Sequence, residues 1–76
     1  MNIVLTTHAE DNLAARGMTV RDIEWVLERP DTNRLSDGVK FKAVRQKSAK
    51  WHYVVDVPLG GNDARIITAW KEKRTR

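Results

Sequence analysis

The sequence predicts an α+β fold in which a short N-terminal strand and a two-helix hairpin pack on a three- to four-stranded antiparallel sheet. Helix-capping signals flank two segments within residues 7–29, and the hydrophobic period changes from helical to alternating after Pro30. Turn residues then divide the second half into consecutive hairpins. The 76 residues fit one domain, which we divide into a helical hairpin (7–29), an antiparallel sheet (32–71) and a basic tail (72–76).

The first helix is predicted from about residue 8 to residue 16. Thr7 and Glu10 form a capping box at its start, and Gly17 is typical of a helix C-cap. The helical period places Ala9 and Leu13 on one inward stripe. We therefore expect this helix to bury a narrow face and to end in a tight turn.

The second helix is predicted from about residue 20 to residue 28 because Thr19 and Asp22 form another capping box and Pro30 ends the segment. Its inward face consists of Val20, Ile23 and Leu27, with Val26 beside them. Trp25 points away from this face. It either covers a neighbouring element or anchors a partner, because tryptophan is enriched at interface hot spots.

The strands are predicted from alternating apolar residues. The alternating sets are Ile3 and Leu5; Val39, Phe41 and Ala43; Trp51, Tyr53, Val55 and Val57; and Ile66, Thr68 and Trp70. Turns at residues 36–38, 47–50 and 58–63 connect the later segments as an antiparallel meander. We expect Trp51, Tyr53 and Trp70 to face inward, as core residues or as a platform for a base, and His52 to face solvent.

The charge distribution favours a polyanionic partner. Fourteen Lys and Arg residues against ten Asp and Glu give a net charge of +4. Acidic residues concentrate in the helical hairpin, whereas basic residues crowd two segments: Lys40, Lys42, Arg45, Lys47 and Lys50, then Lys71, Lys73, Arg74 and Arg76. The alternative is that these lysines and arginines are solvated strand edges and a frayed terminus.

Several classes of protein are disfavoured. The chain has no cysteine, so it has neither disulfides nor a thiolate metal site. Its two histidines lack a His-Glu-x-x-His spacing, and Gly60-Gly61 lacks the lysine and hydroxyl of a phosphate loop, so we expect no metal and no cofactor. No apolar run approaches the roughly 18 residues of a membrane span, and no signal peptide is evident, which makes a cytoplasmic protein the expectation.

The residue types present suit metal-free cleavage of RNA. This reaction needs a group that takes the proton from the 2′-hydroxyl and cations that stabilise the charge on phosphorus. His8, Asn12 and Arg16 form one line along the first helix, so His8 is the candidate general acid or base beside a phosphate-binding Arg16. Thr68 is a candidate for positioning the scissile phosphate. The candidate nucleic-acid-binding residues are Asn12, Lys40, Lys42, Arg45, His52 and Lys71.

The helical half also resembles a known family. The segment Thr6-Thr7-His8-Ala9, followed by Arg16-Gly17-Met18 and closed by Leu27-Glu28-Arg29-Pro30, is similar to the domain of unknown function 4258 family, whose pattern opens with Thr-x-His-Ala and reaches Arg-Gly-Ile. In plan that family is similar to the RelE, ParE and BrnT toxins and to the barnase, EndoU, colicin and RelE ribonucleases. The resemblance therefore implies a RelE-like fold.

The resemblance also implies a function. It carries over His8, Arg16 and Thr68 as catalytic residues, whereas Asn12 stands where many such sequences have an arginine. We expect a toxin-like, metal-independent endoribonuclease of a bacterial toxin-antitoxin system, which cleaves single-stranded or ribosome-bound RNA and is held inactive by a small antitoxin. The alternatives are a non-catalytic module that binds nucleic acid or protein, with Trp25 as a contact, and a ParE-like inhibitor of a DNA enzyme.

Overall fold

The computed structural model describes residues 2–61 and 63–73, which form two helices and a five-stranded sheet. In chain order the elements are β1 (Ile3–Leu5), α1 (Thr7–Arg16), α2 (Val20–Glu28), β2 (Thr32–Asp37), β3 (Lys40–Lys47), β4 (Lys50–Gly60) and β5 (Asp63–Lys73). The sheet order is β1-β5-β4-β3-β2. Strands β2 to β5 are antiparallel, and β1 adds a fifth strand parallel to β5. The predicted α+β fold is confirmed.

Both helices cover one face of this sheet. Helix α1 packs on β1 and β5, and α2 packs on β3 and β4. The core between the layers combines Ala9 and Leu13 of α1, Ile23 and Val26 of α2, Met18 of the interhelical turn, and Ala43, Val54, Ala64, Ile66 and Ala69 of the sheet. Within the described residues, neither helix has the length and hydrophobicity that crossing a membrane requires.

The start of α1 is fixed by Thr6. Its Oγ1 accepts a hydrogen bond from the Ala9 amide at 3.0 Å and donates one to the Ile66 carbonyl at 3.1 Å. The predicted capping box of Thr7 and Glu10 is wrong by one residue, because Thr6 keeps the extended backbone of β1 and Thr7 is already helical. One hydroxyl thus caps the helix and attaches it to β5.

The turn between the helices matches the prediction. Gly17 has φ of 65°, and the Met18 amide donates to the Leu13 carbonyl at 3.0 Å, as in a Schellman cap. The capping box of Thr19 and Asp22 is present in both directions. Met18 in this connection is part of the core, and both helices pack on the sheet in one layer.

The inward face of α2 differs from the prediction in one position. Ile23 and Val26 are fully buried, but Val20 is 41% exposed. With about 100° between successive residues, Val20 lies about 90° from the midpoint between Ile23 and Val26. The buried stripe is therefore centred on these two residues, and Val20 stands at its margin.

The two faces of β4 are reversed relative to the prediction. His52, Val54 and Asp56 are buried under the helices, whereas Trp51 and Tyr53 alternate with them on the other face. There the Tyr53 ring stacks on Trp70 with centroids 4.8 Å apart. The reason is steric, because the small side chains that pair across the sheet, Ala43, Val54 and Ala69, let the helices approach closely.

A β-bulge in β5 explains a second difference from the prediction, which concerns the residues of β5 that face the helices. Thr68 pairs with Val55 and Ile66 pairs with Asp56, so Ile67 is an extra residue in the ladder. Strict alternation would place Ile66 and Ala69 on opposite faces, yet both are fully buried. The bulge therefore turns three residues of β5 toward the helices: Ala64, Ile66 and Ala69. The strand continues to Lys73, beyond the predicted end of the sheet, and Arg74 to Arg76 lie outside the described residues.

Candidate functional site

Helix α1 is attached to β5 by two polar side chains that sequence analysis singled out. The Asn12 amide Nδ2 donates to Thr68 Oγ1 at 2.9 Å, and Arg16 Nη1 donates to the Ala69 carbonyl at 2.9 Å. The structure thus brings Asn12, Arg16 and Thr68 together at the bulge. Their predicted roles in phosphate binding and catalysis remain predictions.

His8 is separated from this group. It is exposed in the first turn of α1, eight residues before Arg16, which corresponds to about 12 Å along the helix axis. The N-terminal turn that carries it is attached to β5 at Ile66. His8 therefore lies at the opposite end of α1 from Arg16, and its role as general acid or base remains a prediction.

A pocket of about 320 Å³ lies at the β3–β4 turn, next to β5. Its wall consists of Lys47, Ser48, Ala49, Lys50, His52 and Lys71. The strand register explains why they meet, because Lys47 pairs with Lys50 and His52 pairs with Lys71. We call this the basic pocket. Three ammonium groups around one imidazole make it suited to an anionic ligand.

His52 is the buried member of the basic pocket, with only 7% of its surface exposed. Its Nδ1 is buried and has no hydrogen-bond partner among the described residues. Burial lowers the pKa of His52 below 6.5, and the ammonium groups of Lys71, Lys47 and Lys50 lower it further, against the opposing effect of Asp22. The imidazole is therefore neutral at pH 7 and able to accept a proton.

Trp25 packs against the ring of His52. The two rings meet edge to face with centroids 5.3 Å apart. The Arg45 guanidinium lies 4.1 Å from the centre of the Trp25 ring, and its Nη1 donates to the Trp25 carbonyl at 2.6 Å. Lys47 Nζ lies 5.5 Å from the same ring. Trp25 therefore covers β3 and β4, and its role as a partner contact remains a prediction.

The predicted nucleic-acid-binding residues do not form one surface. His52 and Lys71 line the basic pocket, and Arg45 lies beside it on Trp25. Lys42 lies on the opposite face, with Nζ 6.0 Å from the Tyr53 ring centre. Lys40 begins β3 and is not part of the pocket wall. The expectation of a solvent-facing His52 is wrong, because the β4 face that carries it is the one under the helices.

Two of the pocket lysines were not predicted as site residues. Lys47 and Lys50 flank the Ser48-Ala49 turn and belong to the predicted basic segment only. The signal was present, because a two-residue turn places its flanking residues opposite one another, and alternation puts Lys50 on the same face as His52.

Asp56 is a second buried titratable group that was not selected. It is 6% exposed, and its Oδ1 has no hydrogen-bond partner in the described part of the chain. Burial raises the pKa of this carboxyl above its usual value.

Residues 2–61 and 63–73 contain no cluster of three or more His, Cys, Asp or Glu side chains that would hold a metal ion.

Comparison with solved structures identifies a similar architecture. The Brucella abortus ribonuclease toxin BrnT superposes with a TM-score of 0.73 at 17% sequence identity, over 97% of this chain and 99% of BrnT. The chain has a BrnT-like fold. No protein-family model matches it, and no curated protein matches its sequence. The resemblance to the BrnT toxins therefore holds for the fold, whereas membership of the domain of unknown function 4258 family remains a prediction.

Proposed function

We propose that the protein is a toxin-like endoribonuclease that binds the RNA backbone in the basic pocket. The observation that carries the proposal is the convergence of Lys47, Lys50 and Lys71 around the neutral imidazole of His52. The fold of a named ribonuclease toxin supports the same class of activity. A small antitoxin and a cytoplasmic location are part of the proposal.

The pocket combines the groups that cleavage at a ribose 2′-hydroxyl requires. Ammonium groups bind phosphate oxygens as point charges and stabilise the charge that develops on phosphorus. A neutral imidazole accepts the proton of the attacking hydroxyl. This reaction proceeds with neither metal nor cofactor, so the proposal is a metal-independent enzyme.

Arg16 and Thr68 extend the proposed site along β5. Arg16 holds the carbonyl of Ala69, which lies two residues, or roughly 7 Å, before Lys71 on the strand. The remaining donors of the Arg16 guanidinium suit a second phosphate of the same RNA strand. Thr68 is the proposed positioning hydroxyl, and Asn12 holds it at 2.9 Å.

The test is cleavage of a fluorescently labelled single-stranded RNA of mixed sequence by the purified protein in EDTA. We expect metal-independent cleavage that falls at least tenfold in a Lys47→Ala, Lys50→Ala, Lys71→Ala triple variant. Arg34→Ala provides a matched control, because it removes an exposed positive charge on β2, away from the pocket wall.

Two results would contradict the proposal. Salt-sensitive RNA binding without products would indicate a non-catalytic binding module. Inhibition of DNA supercoiling without RNA cleavage would indicate an inhibitor of a DNA enzyme.

A further inference from the structure

We propose that His52, rather than His8, is the general base of the reaction. This inference rests on the proposed ribonuclease function and assigns its central chemical step. It follows from where the two histidines lie relative to the cations that would hold the phosphate.

His52 meets the geometric requirement for a general base in this pocket. It lines the same wall as the three lysines and pairs across the sheet with Lys71. His52 is more than nine-tenths buried, and Trp25 meets its ring edge to face with centroids 5.3 Å apart. A ring held by packing keeps one orientation toward a bound phosphate, as a base must do.

His8 does not meet this requirement. The first turn of α1 is attached to the Ile66 carbonyl by Thr6. Ile66 and Lys71 pair with Asp56 and His52, which lie four residues apart on β4, or roughly 13 Å along the strand. The first turn of α1 therefore lies farther from a phosphate held by Lys71 than His52 does, whereas proton transfer requires a hydrogen-bond reach of about 3 Å.

The charges around His52 come from every element packed against it. Lys47 and Arg45 lie on β3, Lys50 on β4 and Lys71 on β5, whereas Asp22 on α2 supplies the opposing carboxylate. These cations disfavour an imidazolium in the empty pocket. A bound phosphate adds negative charge beside them, so RNA binding itself makes His52 a better proton acceptor.

The proposed step balances without a further reactant. A ring nitrogen of His52 takes the proton from the ribose 2′-hydroxyl, and the 2′-oxygen forms a bond to the adjacent phosphorus. The bond from phosphorus to the 5′-oxygen breaks, and that oxygen takes a proton from solvent. The products are a 2′,3′-cyclic phosphate and a 5′-hydroxyl, and imidazolium loses its proton to water.

The experiment compares wild-type protein with His52→Ala, His52→Gln and His8→Ala in cleavage of the labelled single-stranded RNA. We expect both His52 variants to lose about 100-fold or more in rate, the usual contribution of a general base. Added imidazole should restore part of the rate to His52→Ala, because the deleted ring leaves space that opens onto the pocket. A purely structural role would not respond to imidazole.

His52→Gln keeps the comparison informative if His52→Ala does not fold, and circular dichroism checks both variants. Cleavage by His52→Gln at the wild-type rate, or loss of activity in His8→Ala with His52 variants still active, would overturn the assignment and leave the ribonuclease proposal standing. Wild-type protein that cleaves no RNA would overturn both. Loss of cleavage when the target ribose is replaced by 2′-deoxyribose would support the 2′-hydroxyl as the attacking group.

Discussion

Two buried titratable residues lie four positions apart on the helix-covered face of β4. His52 opens onto the basic pocket, whereas Asp56 lies beneath the helices, and its Oδ1 has no hydrogen-bond partner within residues 2–61 and 63–73. Burial favours the neutral form of each, so it lowers the pKa of His52 and raises the pKa of Asp56. Lowering the pH therefore destabilises the folded state through His52 and stabilises it through Asp56. The stability that neutral His52 provides is lost as pH falls from 6.5 through the lower pKa of the folded state.

Asp56 should limit the stability of the protein at neutral pH. Because its folded pKa lies above 3.8, the protonated form is favoured by folding, and this stabilisation is lost as pH rises through the folded pKa. We expect Asp56→Asn to raise the free energy of unfolding at pH 7 by about 1 kcal/mol, the order of cost for a buried group without a partner. Urea denaturation at several pH values measures this gain.

The gain should shrink as pH falls through the folded pKa of Asp56, below which the wild-type carboxyl is protonated. Asp37→Asn is the matched control, because Asp37 is an exposed aspartate on β2. A stability of Asp56→Asn equal to or below wild type at pH 7 would show that the charged carboxyl has a stabilising partner.

At the scale of elements, two connections position the site. The Thr6 hydroxyl attaches the start of α1 to β5, and Arg16 attaches its end. The bulge at Ile67 lies between these attachments and keeps both Ile66 and Ala69 against the helix. Helix α2 contributes Trp25, which packs on His52, and Asp22, which raises the pKa of His52. The surroundings of His52 thus depend on the packing of α1 on β5 and of α2 on β4.

The cap of α1 can be tested directly. Thr6→Ala removes the acceptor for the Ala9 amide and the donor to Ile66, so we expect a loss of about 1 to 2 kcal/mol in the free energy of unfolding. Thr7→Ala is the matched control, because Thr7 is exposed and already helical. Equal losses in both variants, measured by thermal unfolding, would argue for a cap shared by the two threonines.

The N-terminus of α2 should tune the proton affinity of His52. Asp22 raises the pKa of the imidazole, so Asp22→Asn should lower it further below 6.5. The measurement is the NMR titration of the His52 ring protons. Thr19→Ala also weakens the capping box but keeps the carboxylate, so it should shift the titration less. Identical shifts in the two variants would mean that helix capping, not charge, controls His52.

At the scale of the whole molecule, the excess of positive charge is divided between the two faces of the sheet. Lys47, Lys50 and Lys71 gather in the pocket on the helix-covered face, whereas Lys42 lies beside Tyr53 on the other. Net charge alone therefore does not locate the proposed RNA path. The strand register does, because it decides which lysines share a face.

This separation should be visible in the salt dependence of RNA binding. Each lysine that neutralises a phosphate contributes about 0.7 to the slope of log affinity against log salt for a single strand. We expect Lys71→Ala to reduce the slope by about that amount and Arg34→Ala to leave it unchanged. Fluorescence anisotropy over a salt series measures both. Equal reductions would indicate diffuse electrostatic binding instead of a defined pocket.

The local signals in the sequence were sufficient for the α+β class, both helices and the hairpin order. Gly17, Thr19 and Asp22 are interpretable without tertiary structure because capping depends on neighbours within a few residues. The positions of the turns are local for the same reason. What the sequence determined by itself was thus the order and type of elements, and the presence of basic residues in two segments.

Only the tertiary structure decided which face of the sheet meets the helices. Trp51 and Tyr53 looked like core residues, but small side chains lie beneath the helices instead, and this choice depends on packing between distant segments. It also buries His52. The bulge at Ile67 was equally hidden, because one extra residue in β5 is defined only against its partner strand. A pocket formed by the β3–β4 turn and β5 exists only once register is set.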